Sequence, residues 1–105
     1  MQIFQSYYET LYQRPVVRLA GYSARHGLPA SLYAYLAAGG PTNSAKDALA
    51  EGMLAIATEK GLLKPGQTVV EGSSGSFAVA LAISCARSGH PLVLCMPATV
   101  PTERQ

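Results

Sequence analysis

The chain has 105 residues, 49% of them apolar and only 13% charged, about half the usual charged share of roughly 25%. Its 8 basic and 6 acidic residues are scattered and leave a net charge of +2, which excludes a disordered tail, a coiled coil and a nucleic-acid-binding arm. One domain at most is expected, with a surface that something else covers.

No membrane segment is expected, because the longest apolar run, residues 77–83, falls far short of the ~20 residues that span a bilayer. The opening string MQIFQSYYETLYQR has no basic start followed by an apolar stretch, so it does not read as a secretory signal. Cys85 and Cys95 match no zinc or redox spacing. Both read as buried small apolar residues in a reducing, cytoplasmic compartment.

Residues 2–13, with Tyr7, Tyr8 and Tyr12, are amphipathic and fit either a short helix or an ordered arm. Val16 to Leu19 is a short strand after Pro15, and residues 21–30, with Gly21, Gly27 and Pro29, read as a loop. Leu32, Ala34 and Leu36 alternate with Tyr33 and Tyr35, a strand pattern. GGPTN then breaks the chain before the best helix signal. Ser44 reads as its N-cap and Asp47 approximates a capping box. Ala45, Leu49, Met53, Ile56 and Ala57 follow at helical spacing, and Gly61 closes the helix in a left-handed conformation. KPGQ at 64–67 is a turn. Thr68 to Glu71 is a strand, GSSGS at 72–76 a tight connection, and residues 77–88 a helix so apolar that burial on most sides is expected. His90-Pro91 turns the chain into LVLCM at 92–96, which reads as a parallel strand covered on both faces. Residues 68–96 therefore form a βαβ unit, and TVPTERQ resembles the first turn of another helix.

The expected class is α/β: a parallel twisted sheet with flanking helices in three αβα layers. Residues 1–38 supply an N-terminal arm and entry strands, and residues 39–105 a partial small α/β domain. Two clear parallel strands and a wholly apolar helix have too little partner surface. The chain is therefore expected to be the N-terminal piece of a larger fold, or to assemble with another chain.

Two places could carry chemistry. Lys46 lies in the first turn of its helix, where the positive end of the helix dipole disfavours the ammonium and favours the neutral amine that attacks carbonyls. A solvated surface lysine beside Asp47 is the plain alternative. The strand–GSSGS–helix junction offers hydroxyls from Ser73, Ser74 and Ser76 and a helix start, at the carboxyl end of a parallel strand. It suits a carboxylate or phosphate, or is simply a flexible turn with a serine cap. The two are expected to face each other. EGSSG is not a G-x-S-x-G elbow, no P-loop is present, and His26 and His90 read as surface residues.

In order, the strings RPVVRL at 14–19, GGPTNSAKDA at 39–48, EGMLAIATEKGLLKPGQTVVEGSSGS at 51–76 and LVLCMPATVPTER at 92–104 resemble the fold-type II pyridoxal-phosphate enzymes, cysteine synthase most closely. The family pattern runs T-P-L-V-R-L, N-P-T-G-S-x-K-D-R, G-x-L-K-P-G, E-x-T-S-G-N-T-G, then M-P before S-x-E-R. The resemblance implies that Lys46 is the lysine that bonds pyridoxal 5'-phosphate. It implies that Ser73, Ser74 and Gly75 close on the substrate carboxylate, and that Ser76 stands where an Asn contacts the cofactor. It also implies β-replacement on an O-activated serine with a sulfur nucleophile, on an amino-acid substrate, in a homodimer or together with the missing C-terminal part of the same enzyme. A serine/threonine dehydratase-type elimination and a truncated, non-catalytic assembly module are the competing readings. The chain departs from the pattern at Gly40 (Asn in the family), Asn43 (Gly), Ala48 (Arg), Ser76 (Asn), Phe77 (Thr) and Ala78 (Gly).

Overall fold

A computed structural model describes residues 3–104. A 3-10 turn, Tyr7–Tyr12, opens the chain and is followed by strand β1 (Val16–Arg18), helix α1 (Ala20–Arg25) and strand β2 (Tyr33–Tyr35). β1 and β2 pair antiparallel, with Val17 opposite Ala34. The pairing is extended at both ends by Leu19 N–H donating to Leu32 C=O and Leu36 N–H to Pro15 C=O. α1 corrects the loop expected at 21–30. Gly21 weakens a helix without forbidding it, and the break falls at Gly27, whose φ is +58°. α1 buries no residue, so no apolar stripe announced it.

Helix α2 (Lys46–Glu59), strand β3 (Val69–Glu71), helix α3 (Ser76–Ser88) and strand β4 (Leu92–Leu94) follow, and a second 3-10 turn, Thr102–Arg104, takes the place of the helix start expected there. β3 and β4 pair in parallel with Val70 opposite Val93, so the expected βαβ unit is present. Both long helices end where glycine permits a left-handed residue. At α2, Gly61 (φ +68°) lets its own N–H reach Thr58 C=O and Leu62 N–H reach Ala57 C=O, a Schellman pair. At α3, Gly89 (φ +75°) lets His90 N–H reach Cys85 C=O. KPGQ turns as expected, with Gln67 N–H donating to Lys64 C=O.

The core lies between α2 and α3 and on one face of the β3–β4 pair. It contains Ala50, Leu54, Leu63, Ala80, Leu81 and Cys85, with Ala57, Val69, Phe77 and Leu92 packed around it. Ala50 and Ala80 are small, so the two helix backbones can approach closely. Glu51 on α2 pairs with Arg87 on α3, and the Arg87 guanidinium lies 4.3 Å from the centre of the Tyr8 ring.

Several expectations are corrected by what is left uncovered. α3 is buried on most sides, as expected, but one strip with Val79 and Ala86 is exposed opposite the core. β4 is not covered on both faces, because Val93 and its partner Val70 are exposed. Three layers are therefore absent among the described residues. There are two two-stranded sheets rather than one, and helices cover only one face of the parallel pair. The α2 stripe Leu49, Met53 and Ile56 is also exposed, while Ala50, Leu54 and Ala57 do the packing. The accessible surface is 7342 Å², against about 5,600 Å² for an ordinary folded chain of this mass. The radius of gyration is 17.7 Å, against about 13 Å. Apolar faces without a partner layer and an exposed β1–β2 ribbon both contribute to these differences.

Single residues also move. Cys85 is buried, as expected, and its burial pushes the thiol above its ordinary range, but Cys95 is exposed; both are free thiols. His26 is exposed at the end of α1, stacked against Tyr22. His90, expected at the surface, is buried, with its Nδ1 3.0 Å from the Gln67 carbonyl oxygen. A carbonyl can only accept, so that nitrogen carries the proton.

Candidate functional site

The segment leading into α2 is a closed loop rather than a simple cap. Gly39 N–H donates to Asn43 Oδ1 at 2.7 Å, and Asn43 N–H donates back to Gly40 C=O at 2.9 Å. Asn43 has φ +56°, a left-handed conformation that Asn adopts more readily than other side-chain-bearing residues. That accounts for the glycine at this position in the pattern given above. The Asp47 carboxylate reaches back over the loop. Its Oδ1 accepts from Thr42 Oγ1 at 2.7 Å and its Oδ2 from Thr42 N–H at 3.1 Å. Asp47 is 2% exposed, and a Cβ on Gly40 would collide with its carboxylate.

The capping box is therefore corrected. Ser44 is not the N-cap; Ala45 is, in a helical conformation and without a side-chain bond. Ser44 Oγ accepts the Lys46 N–H at 3.2 Å, and Asp47 bonds Thr42 instead of closing the box on Ser44. Lys46 is the first residue of α2, exposed, and its amine makes no ion pair among the described residues.

The second place begins where β3 ends. The GSSGS connection runs from Glu71 to the start of α3, whose N-cap, Gly75, gives no side-chain bond. Ser73 and Ser74 are half-buried, Gly75 and Ser76 exposed. Ser74, Gly75 and Ser76 line a cavity of about 480 Å³ whose other walls include Val79, Leu94, Met96 and Glu103. Ser73 and Lys46 are not on that wall. The serine loop thus has a hollow of ligand size beside it, and Lys46 stands on a different element, open to solvent.

Sequence reading missed two features. One is the Thr42–Asp47 brace, whose signal was a hydroxyl residue five places before an acid across a Pro-Thr-Asn turn. The other is Glu103, which shares a cavity with the serine loop only through the tertiary fold.

A serine–glycine loop at the carboxyl end of a parallel strand in an open α/β unit is where proteins of this class bind ligands. The comparisons narrow that class. The family model described as pyridoxal-phosphate dependent enzyme matches residues 8–105, and the chain belongs to that family. O-ureido-L-serine synthase of Streptomyces lavendulae is 38% identical over 105 residues, covering 100% of this chain and 32% of its own length. Cysteine synthase of Staphylococcus aureus is 40% identical over 76 residues, covering 72% of this chain and 24% of its own. The crystal structure of O-acetyl serine sulfhydrylase isoform 3 from Entamoeba histolytica superposes with a TM-score of 0.80 at 29% identity, over 99% of this chain and 32% of that one. The chain thus spans about a third or less of the length of these relatives.

Proposed function

We propose that the chain is the N-terminal portion of a cysteine synthase-like enzyme that replaces the β-substituent of an O-activated serine, with Lys46 as the covalent anchor of pyridoxal 5'-phosphate. The observation that carries this reading is the family match over residues 8–105, with Lys46 in the first turn of α2, where the family pattern has its cofactor lysine. The Lys46 amine is solvent-reachable and makes no ion pair among the described residues, and the residue's N–H is held by Ser44 Oγ. A free amine at a fixed point is what condensation with an aldehyde requires, so the residues present fit the group chemically.

When bound, the cofactor supplies an electron sink for charge at the substrate α-carbon. The chain supplies the rest. Lys46 Nζ, as a free amine, would be the base that takes and holds the substrate α-proton. The hydroxyls of Ser73 and Ser74 and the Gly75 backbone receive the substrate carboxylate. Ser76, shorter than the Asn of the family pattern, would stand on the cofactor side of the loop. Val79, Leu94 and Met96 give the neighbouring hollow an apolar wall that keeps water from part of the site. A sulfur nucleophile completes the exchange. The relative that matches along the whole chain favours a second acceptor, because its name specifies an O-ureido serine, so an N-hydroxylated urea belongs beside sulfide in any assay. We place the enzyme in the cytoplasm as a homodimer, or in association with the remaining two-thirds of the relatives' length.

The test uses the three lysines of the chain, Lys46, Lys60 and Lys64, as internal controls. The chain is supplied with pyridoxal 5'-phosphate, reduced with borohydride and mapped by peptide mass spectrometry. Label concentrated at Lys46 supports the reading. Label spread evenly over the three lysines, or absent, overturns it.

A further inference from the structure

Asp47 has no evident reason to be buried. It is 2% exposed, it forms no ion pair among the described residues, and taking a carboxylate out of water is costly unless it is fully bonded. Among the described residues, the donors to its carboxylate all belong to one residue, Thr42, through both the backbone N–H and the hydroxyl. Charge-assisted bonds of this kind are the strong ones. Gly40 is the other half of the arrangement. It is buried, and any side chain there would strike the Asp47 carboxylate and Leu11. The acid is thus clamped into the mouth of a loop whose other bonds, Gly39 to Asn43, Asn43 to Gly40 and Lys46 to Ser44, tie together the residues from 39 to the lysine.

We infer that Asp47 is a positioning residue for Lys46. Through Thr42 it locks residues 39–46 into one conformation and so fixes the direction in which the Lys46 amine leaves the helix start. The inference rests on the reading of Lys46 as the covalent anchor. The brace explains why a buried acid sits directly after an exposed lysine: the burial of one orders the backbone of the other. An exposed lysine on a loose helix end would sample many directions, and a fixed backbone removes most of that freedom before any aldehyde arrives.

The experiment has two readouts on the 105-residue chain. The first is amide hydrogen exchange, which needs no cofactor. Asp47→Ala should speed exchange at Thr42, whose N–H donates to the carboxylate, by about tenfold or more, the loss expected for a bond to a charged acceptor, and should speed exchange at Asn43 and Lys46 as the loop they belong to loosens. Thr42→Val should give a smaller acceleration, and Thr42→Ser, which keeps the hydroxyl, should match the parent. The Ala80 and Leu81 amides in α3 should exchange at the parent rate in all three, which separates loosening of the loop from unfolding. The second readout is the share of reduced pyridoxal label on Lys46 relative to Lys60 and Lys64. It should fall in Thr42→Val and recover in Thr42→Ser. Unchanged exchange at Asn43 and Lys46 in Asp47→Ala overturns the inference, as does parental Lys46 selectivity in Thr42→Val. If the parent itself labels its lysines indiscriminately, the anchor role fails, while the exchange rates still decide whether Asp47 orders this loop.

Discussion

The β1–β2 ribbon and the α2–β3–α3–β4 unit are built from equally short strands, yet only one of them makes a core. All three residues of β1 are exposed, and β2 exposes Tyr33 and Tyr35. An isolated two-stranded ribbon is marginal in water. The parallel pair is no longer, but Val69 and Leu92 turn one face onto the core that contains Leu81 and Cys85, and two helices close over it. Strand propensity is therefore not what separates the two regions. What separates them is the presence of a helix pair that can bury one sheet face.

The largest test of that contrast is Leu81→Ala, at the centre of the helix pair. The residue is 3% exposed, and the substitution should cost about 2–5 kcal/mol in urea-induced unfolding followed by far-ultraviolet circular dichroism. A loss below about 1 kcal/mol would mean that the two helices do not form a cooperative core. Next is Gly61→Ala. A Cβ there meets no other atom, so only the left-handed backbone is penalised, and a loss of about 1 kcal/mol should appear in the same titration. An unchanged midpoint would show that the Schellman end does not hold α2. A smaller effect concerns Cys85, whose folded thiol titrates above its ordinary value because it is desolvated. A raised folded value means that the contribution is complete below the unfolded thiol value, about 8.5, and is lost as pH rises through the folded value. Stability should therefore sag on the alkaline side, and Cys85→Ala, less stable overall, should flatten that limb. Smallest of all is Val17→Ala in the ribbon, where the exposed side chain packs on little. It should shift stability by no more than about 0.5 kcal/mol, and a shift like that of Leu81→Ala would erase the contrast between the regions.

Much of the site was readable in the linear order of residues. The lysine in the first turn of α2, the serine loop at the end of β3 and the glycines that end both helices depend on neighbours only a few positions away. The brace was misread because Asp47 had two available partners, Ser44 and Thr42, and the left-handed Asn43 turned the chain so that Thr42 lies under the carboxylate. His90 was misread for a similar reason. A histidine before a proline reads as a surface turn until the Gln67 carbonyl, far back in the chain, meets its ring.

Residue order alone specified the α/β alternation, the parallel pair, the helix ends and the place of Lys46. Each of these follows from backbone geometry and side-chain period over one or two turns of chain. Which apolar faces are covered was decided by the tertiary structure. Leu49, Met53 and Ile56 keep perfect helical spacing and still face solvent, while Ala50 and Leu54, one position along, form the core. Periodicity shows that a helix has an apolar stripe, but burial requires a second surface, and where that surface stands depends on contacts between residues distant in the chain.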